Sequence, residues 1–169
     1  LMSSGSDGMA PSFLTCNLGK RAITLDLKHP KAKEIVHRLV ASADAVVENF
    51  KPGTIDKLGF GYEALKAIKP DLVYASISGY GQSGPKSELP AFDGAIQASS
   101  GMMSISGHPE SGPTRTGYFS VDMSTALNAA FAISAALFRR HLTGEGQRID
   151  VSMLDTAVVM QATQMSNYL

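Results

Sequence analysis

Residues 72–78 read Leu72, Val73, Tyr74, Ala75, Ser76, Ile77 and Ser78, and the run stops at Gly79. A β-branched and aromatic run bounded by a glycine is the pattern of a strand in a parallel sheet. Parallel strands cannot be joined by a tight hairpin; each needs a crossover, usually helical. Helix-forming stretches lie on both sides of this run. The expected class is therefore α/β, with an open, mostly parallel sheet and flanking helices.

The rest of the chain supports that reading. Ile23, Leu25 and Leu27 alternate with Thr24, Asp26 and Lys28, which predicts a strand over residues 22–28. Pro30 suits a first helical turn, and Ala32, Ile35, Val36, Leu39 and Val40 follow as a helical stripe. Ala45, Val46 and Val47 give a short strand, completing a segment of the size of a βαβ unit. Short helices are expected from Ile55 to Leu58 and from Tyr62 to Ile68. Residues 79–90 and 107–117 read as loops, and residues 92–105 as helix-capable. An alanine-rich helix is expected over 123–142, ended by Thr143, Gly144, Glu145 and Gly146. Residues 147–152 predict a fourth strand and 153–169 a last helix. Residues 1–15 carry no periodicity and read as a loop or ragged end.

Composition narrows the function classes. With 169 residues and 44% hydrophobic content the chain can bury a core. Fifteen basic and 15 acidic residues give a formal net charge of zero, which removes the electrostatic case for a nucleic-acid or polybasic membrane-surface binder. The single cysteine, Cys16, excludes an internal disulfide framework and a cysteine-cluster zinc site. The most apolar stretch, residues 126–138, is interrupted by Asn128 and Ser134 and is too short to span a bilayer. No signal peptide opens the chain, so a cytoplasmic setting and no membrane partner are expected. The sequence begins at Leu1 and stops at Leu169 inside a helix-like run, as a piece of a longer chain would.

Most familiar motifs fail on context. Gly59, Gly61 and Ala64 spell a dinucleotide fingerprint, but after a helix instead of a strand, so a helix stop and restart is expected. The loop from Gly79 to Lys86 resembles a damaged phosphate loop; Pro85 separates Gly84 from Lys86 and removes a backbone donor. His29, His37, His108 and His141 have no metal-ligand spacing, and no metal site is expected. Two carboxylates remain. Asp122 precedes the alanine-rich helix, where it suits an N-cap and equally a carboxylate nucleophile. Asp93 suits the cap of the preceding helix. Lys20, Arg21 and Lys28 cluster around the first expected strand, as a solvated strand end or a phosphate-facing patch.

Four phrases in one order carry more. They are residues 17–28 (Asn17, Leu18, Gly19, Lys20, Arg21 to Lys28), residues 47–53 (Val47, Glu48, Asn49, Phe50, Lys51, Pro52, Gly53), residues 74–85 (Tyr74 to Pro85), and residues 143–155 (Thr143, Gly144, Glu145, Gly146, Gln147 to Asp155). Together the sequence closely resembles the class III CoA-transferases, the CaiB/BaiF family, from Asn17 to the C-terminus. That resemblance implies a Rossmann-like large domain and transfer of CoA from an acyl-CoA donor to a carboxylate acceptor. It implies that an aspartate passes through mixed-anhydride and aspartyl-CoA thioester stages, and places Asp122 in that role. Leu25, Lys28, Asn49, Phe50, Lys57 and Leu58 then fall along the CoA track, with Lys57 where arginine is often found. Phe92, Asp93 and Gln97 fall on the acyl-pocket wall.

The resemblance further implies no permanently bound cofactor, coenzyme A or acyl-CoA as substrate, a small carboxylic acid as partner, and an interlocked homodimer. Residues 17–169 correspond to part of the large domain, lacking its first βα unit and the second, smaller domain, with residues 1–16 as the ragged N-terminal end. Two alternatives stay open. An acyl-CoA racemase or epimerase of the same family is disfavoured by Phe92, where that branch needs a histidine as one of two bases. An inactive CoA-binding fragment is the other.

Overall fold

The computed structural model describes residues 8–169. Its centre is a three-stranded, all-parallel sheet in the order β1 (Ala45–Glu48), β2 (Val73–Ser78), β3 (Gln147–Ser152). Ala45 pairs with Val73 on one side of β2, and Val73 to Ser78 pair with Gln147 to Ser152 on the other. The central strand is buried almost throughout, as a parallel strand covered by helices on both faces is.

Helices cover both faces. On one side α2 (Ala32–Ser42), α3 (Thr54–Lys57) and α4 (Tyr62–Lys66) enclose a core of Val40, Ile55, Phe60, Leu65, Leu72 and Tyr74. On the other, α5 (Asp93–Ser99), α6 (Ser120–Thr143) and α7 (Met153–Met160) enclose Ile96, Met102, Val121, Met153 and Ala157. Gly59, in the left-handed region at φ 83°, separates α3 from α4, the stop and restart expected there. Ser152 caps α7 by accepting the Asp155 N–H at 3.1 Å. The last helical stretch breaks at Gln161, and α8 (Ala162–Tyr168) follows.

Several expectations are corrected. Residues 22–28 form no strand, because β1 pairs only with β2 and no ladder reaches them; Ile23 is exposed. A strand-like alternation has no hydrogen-bonding partner of its own and needs a neighbouring edge. The segment 147–152 is accordingly the third strand. Of the expected N-terminal loop, residues 1–7 lie outside the described residues, and Pro11–Asn17 form a short helix, α1, entered through Pro11.

The alanine-rich helix is also longer than its pattern. α6 has 24 residues, of which the interrupted stretch 126–138 is only the middle. By length and composition alone it is long and apolar enough to cross a membrane. Part of its apolar content faces the fold: Val121, Thr125, Ala129 and Ala136 are buried against the sheet and α7. At its far end Arg140 donates to the Asp44 carbonyl at 3.0 Å and the Asp44 carboxylate at 2.7 Å. Gly144 then stops the helix at φ 74°, donating its N–H to the Arg140 carbonyl at 2.7 Å. Met123, Leu127, Phe131, Phe138 and Leu142 remain exposed along the helix.

Candidate active site

In open α/β sheets the ends of the strands, where the chain leaves for its crossovers, are where backbone and side chains converge on a ligand. Here Glu48, Ser78 and Ser152 end β1, β2 and β3. A cavity of about 390 Å³ opens beside those ends, lined by Asn49, Phe50, Ser78, Gly79, Phe92, Asp122 and Met153 among others. A second, of about 260 Å³, adjoins it and shares Asn49, Asp122 and Met153, adding Ile77, Thr125 and Ala126. Among the described residues Asp122 is the only acidic one lining either cavity.

Asp122 is not the N-cap of its helix. α6 begins at Ser120 with Phe119 in the cap position, so Asp122 is the third helical residue. The cap is supplied from another helix. Asp93, 3% exposed, accepts the backbone N–H groups of Val121 at 2.8 Å and Asp122 at 3.0 Å through Oδ2. These are two of the four donors that a helix N-terminus leaves without internal partners. Asp93 itself is the first residue of α5, whose cap position is Phe92, so it does not cap its own helix. Its other oxygen, Oδ1, accepts from Gln97 Nε2 at 2.5 Å.

Gln97 extends the arrangement. Fully buried, it also donates to Thr116 Oγ1 at 2.9 Å and accepts the Thr116 N–H at 3.0 Å through Oε1. Thr116 Oγ1 lies 3.0 Å from Ser120 Oγ and 2.8 Å from the Tyr118 carbonyl. The loop entering α6 is thus tied to α5 immediately before Asp122. Neither Thr116 nor Ser120 was singled out from the sequence. Both sit in a loop-to-helix junction whose pattern is shared by countless turns, and only the position of Gln97 marks them.

Electrostatics follow from this packing. Partial burial, and next the negative charge of Asp93, hold the Asp122 carboxyl above the usual carboxylate range. The helix N-terminus opposes that rise. The proton-free form is consequently less well solvated than that of an ordinary surface aspartate.

The other residues named from the sequence distribute as follows. Asn49 and Phe50 line the larger cavity, and Asn49 is oriented by donating to the Ile77 carbonyl at 2.7 Å. Phe92 lines it too, 69% exposed at its edge. Asp93 and Gln97 do not line that cavity; they stand behind Asp122. Lys28 and Lys57 are exposed, Leu25 is half-buried, and Leu58 packs against the core containing Ile55 and Phe60. Among the described residues no three His, Cys, Asp or Glu side chains stand together as a metal-binding group.

Known proteins share this framework. The succinate–glutarate CoA-transferase of Agrobacterium fabrum is 41% identical over 165 residues, which cover 98% of this chain and 41% of that protein. The acetyl-CoA:oxalate CoA-transferase of Acetobacter aceti is 45% identical over 144 residues, covering 85% of this chain and 37% of that protein. The crystal structure of a CAIB/BAIF family protein from Brucella suis matches with a TM-score of 0.92 at 41% identity, over 99% of this chain and 44% of that one. The chain spans about two-fifths of the length of these curated relatives. The model of the family described as CoA-transferase family III matches residues 2–169, and the chain belongs to that family.

Proposed function

We propose that the full-length protein transfers CoA from an acyl-CoA to a free carboxylic acid, with Asp122 as the nucleophile. The observation that carries this reading is the placement of one partly desolvated carboxylate, held by its own backbone N–H, in a cavity at the strand ends. The relatives named for succinate–glutarate and acetyl-CoA:oxalate transfer point to small dicarboxylates as acceptors.

The chemistry is a chain of acyl exchanges. An Asp122 oxygen bonds to the thioester carbon, the carbon–sulfur bond breaks, and CoA leaves as the thiolate. The thiolate attacks the Asp122 carbonyl of the mixed anhydride, giving an aspartyl-CoA thioester and releasing the donor acid as its carboxylate. The acceptor carboxylate then attacks that thioester, forming a second anhydride and freeing the thiolate again. Thiolate attack on the acceptor's carbonyl yields the new acyl-CoA and restores the Asp122 carboxylate. One thioester is exchanged for another, so the sequence of steps calls for neither ATP nor a metal. Its hazard is water, which destroys an anhydride.

CoA is assigned to the Asn49 and Phe50 side of the cavity, with Lys28 and Lys57 as point charges for its phosphates and Leu25 and Leu58 as apolar neighbours. Phe92 offers no ionisable group at the cavity edge, which favours transfer over racemisation. Asp122 is exposed to solvent in this chain, so we assign its cover to the remainder of the longer protein and a partner copy in a homodimer. The exposed apolar residues of α6 supply a surface for such contacts. The 169-residue chain alone is accordingly expected to show little turnover.

The test uses the full-length protein with succinyl-CoA and glutarate or oxalate. Hydroxylamine should trap an aspartyl derivative at Asp122, and Asp122→Ala should abolish transfer. Full turnover by that variant would remove Asp122 from the reaction.

A further inference from the structure

Burying a hydroxyl without a hydrogen-bond partner is costly, so each such group in a native fold calls for a reason. Three buried side-chain atoms have no partner among the described residues: Ser78 Oγ, Gln82 Nε2 and Thr125 Oγ1. Gln82 belongs to the loop after β2 and lines neither cavity at Asp122. The two hydroxyls do. Ser78, 5% exposed, ends β2 in the wall of the larger cavity. Thr125, 2% exposed, lies one turn beyond Asp122 on α6 in the wall of the smaller one.

A helical hydroxyl has an easy way to satisfy itself, by donating to the carbonyl four residues back. This protein uses it repeatedly: Ser124 to Ser120, Ser134 to Ala130, Thr156 to Ser152. Thr125 does not, although the Val121 carbonyl stands at that spacing. Ser78 Oγ likewise is hydrogen-bonded to no base that could take its proton, which argues against a role as nucleophile and for one as donor.

We propose that Ser78 and Thr125 donate hydrogen bonds to the oxygens of the acyl group reacting at Asp122. This rests on the transferase reading and adds the groups that hold the substrate. When the Asp122 oxygen bonds to the thioester carbon, the carbonyl electron pair moves onto oxygen. Collapse of that adduct expels the thiolate, and no proton changes hands. Donors that remain protonated throughout are what such an oxygen needs, and their worth rises with the charge it carries. The ligand class is therefore a thioester carbonyl or a small carboxylate.

The test is steady-state transfer by the full-length protein with formyl-, acetyl- and succinyl-CoA as donors and oxalate and glutarate as acceptors. Variants are Ser78→Ala, Thr125→Val, Thr125→Ser and Asp122→Ala. The expected loss in kcat is about 100- to 1,000-fold for each of the first two, the range for removing one oxyanion donor. CoA affinity by calorimetry should be unchanged, because free CoA carries no acyl oxygen. Thr125→Ser should recover most of the activity. Thermal midpoints should hold or rise, since deleting an unpaired buried hydroxyl relieves a desolvation cost. Wild-type kcat in Ser78→Ala and Thr125→Val, with Asp122→Ala inactive, overturns this assignment and leaves the transferase reading standing. A kcat loss matched by a fall of several degrees in midpoint, unrescued by Thr125→Ser, overturns it in favour of a structural role. Full activity in Asp122→Ala, or no transfer by the unaltered protein with any pair, overturns both.

Discussion

The carboxylate of Asp93 accepts the backbone N–H of Asp122 at 3.0 Å. One acidic residue thereby fixes the main chain of another while raising the proton affinity of its side chain. The two effects have different ranges. The hydrogen bond orders the first turn of α6 locally, whereas the charge acts through partly excluded solvent. A neutral cap would give the first without the second, so the pair ties position and reactivity to one side chain.

Asp93→Ala leaves the N–H groups of Val121 and Asp122 without their acceptor and takes one of two acceptors from the Gln97 amide. Losing a helix cap costs about 1–2 kcal/mol, and orphaned buried donors add to it. Urea unfolding should register a loss of about 2 kcal/mol or more. An unchanged midpoint would show that the cap carries no stability.

In the proposed reaction the nucleophile is ionised Asp122, whose pKa is raised by burial and by Asp93, so the acid limb of the transfer rate should lie above the ordinary aspartate value of 3.8. Asp93→Asn removes the like charge, so the limb moves to lower pH even as the plateau rate falls. A pH–rate profile of kcat/KM checks both signs; a limb that moves upward contradicts the arrangement.

Stability has the opposite dependence on that group. The folded pKa of Asp122 exceeds its unfolded value, so the folded state binds more protons between the two. Ionised Asp122 costs stability above its folded pKa, and the cost vanishes below the unfolded value. Asp122→Asn should therefore be slightly more stable than the parent at neutral pH, and the gap should close as pH falls toward 3.8. Solvent access to Asp122 keeps the gap small. Denaturant midpoints at several pH values measure it.

Gln97→Leu keeps the bulk and removes three hydrogen bonds, to Asp93 and to both groups of Thr116. The stranded partners should cost about 2–3 kcal/mol. Amide exchange should speed up at Thr116, whose N–H loses its acceptor. Protection equal to the parent's would mean that the loop is held elsewhere.

Gly146→Ala drives a Cβ into the Leu72 carbonyl and the Asp71 backbone, where β3 starts beside β2. Backbone cannot step aside as a side-chain tip can, so about 1–3 kcal/mol or more should be lost. Gly117→Ala, with nothing within 4 Å, is the matched control and should unfold near the parent's midpoint.

Much of this was legible along the chain. The run from Leu72 to Ser78, the stripe from Ala32 to Val40 and the stop at Gly144 are local patterns, and local patterns set local backbone. Residues 22–28 show the limit: their alternation is that of a strand, but pairing is a property of two segments. The four phrases led to the family for the same local reason, since each is a contiguous string; Asp122 lies in none of them and followed only from what the resemblance implies.

Sequence alone thus determined the α/β class and the family resemblance, and offered Asp122 as a candidate, which the structure places in a cavity at the strand ends. The partners of that carboxylate were decided by tertiary structure. Asp93 lies 29 positions away, and its spacing suggested a cap for its own helix; only the approach of α5 to α6 turns it onto Asp122. Ser78 and Thr125 are ordinary hydroxyls in the sequence, and only burial without a partner sets them apart. Hydrogen bonds between distant segments and the burial of a hydroxyl beside a cavity depend on how helices pack across a sheet, and no stretch of neighbouring residues encodes that arrangement by itself.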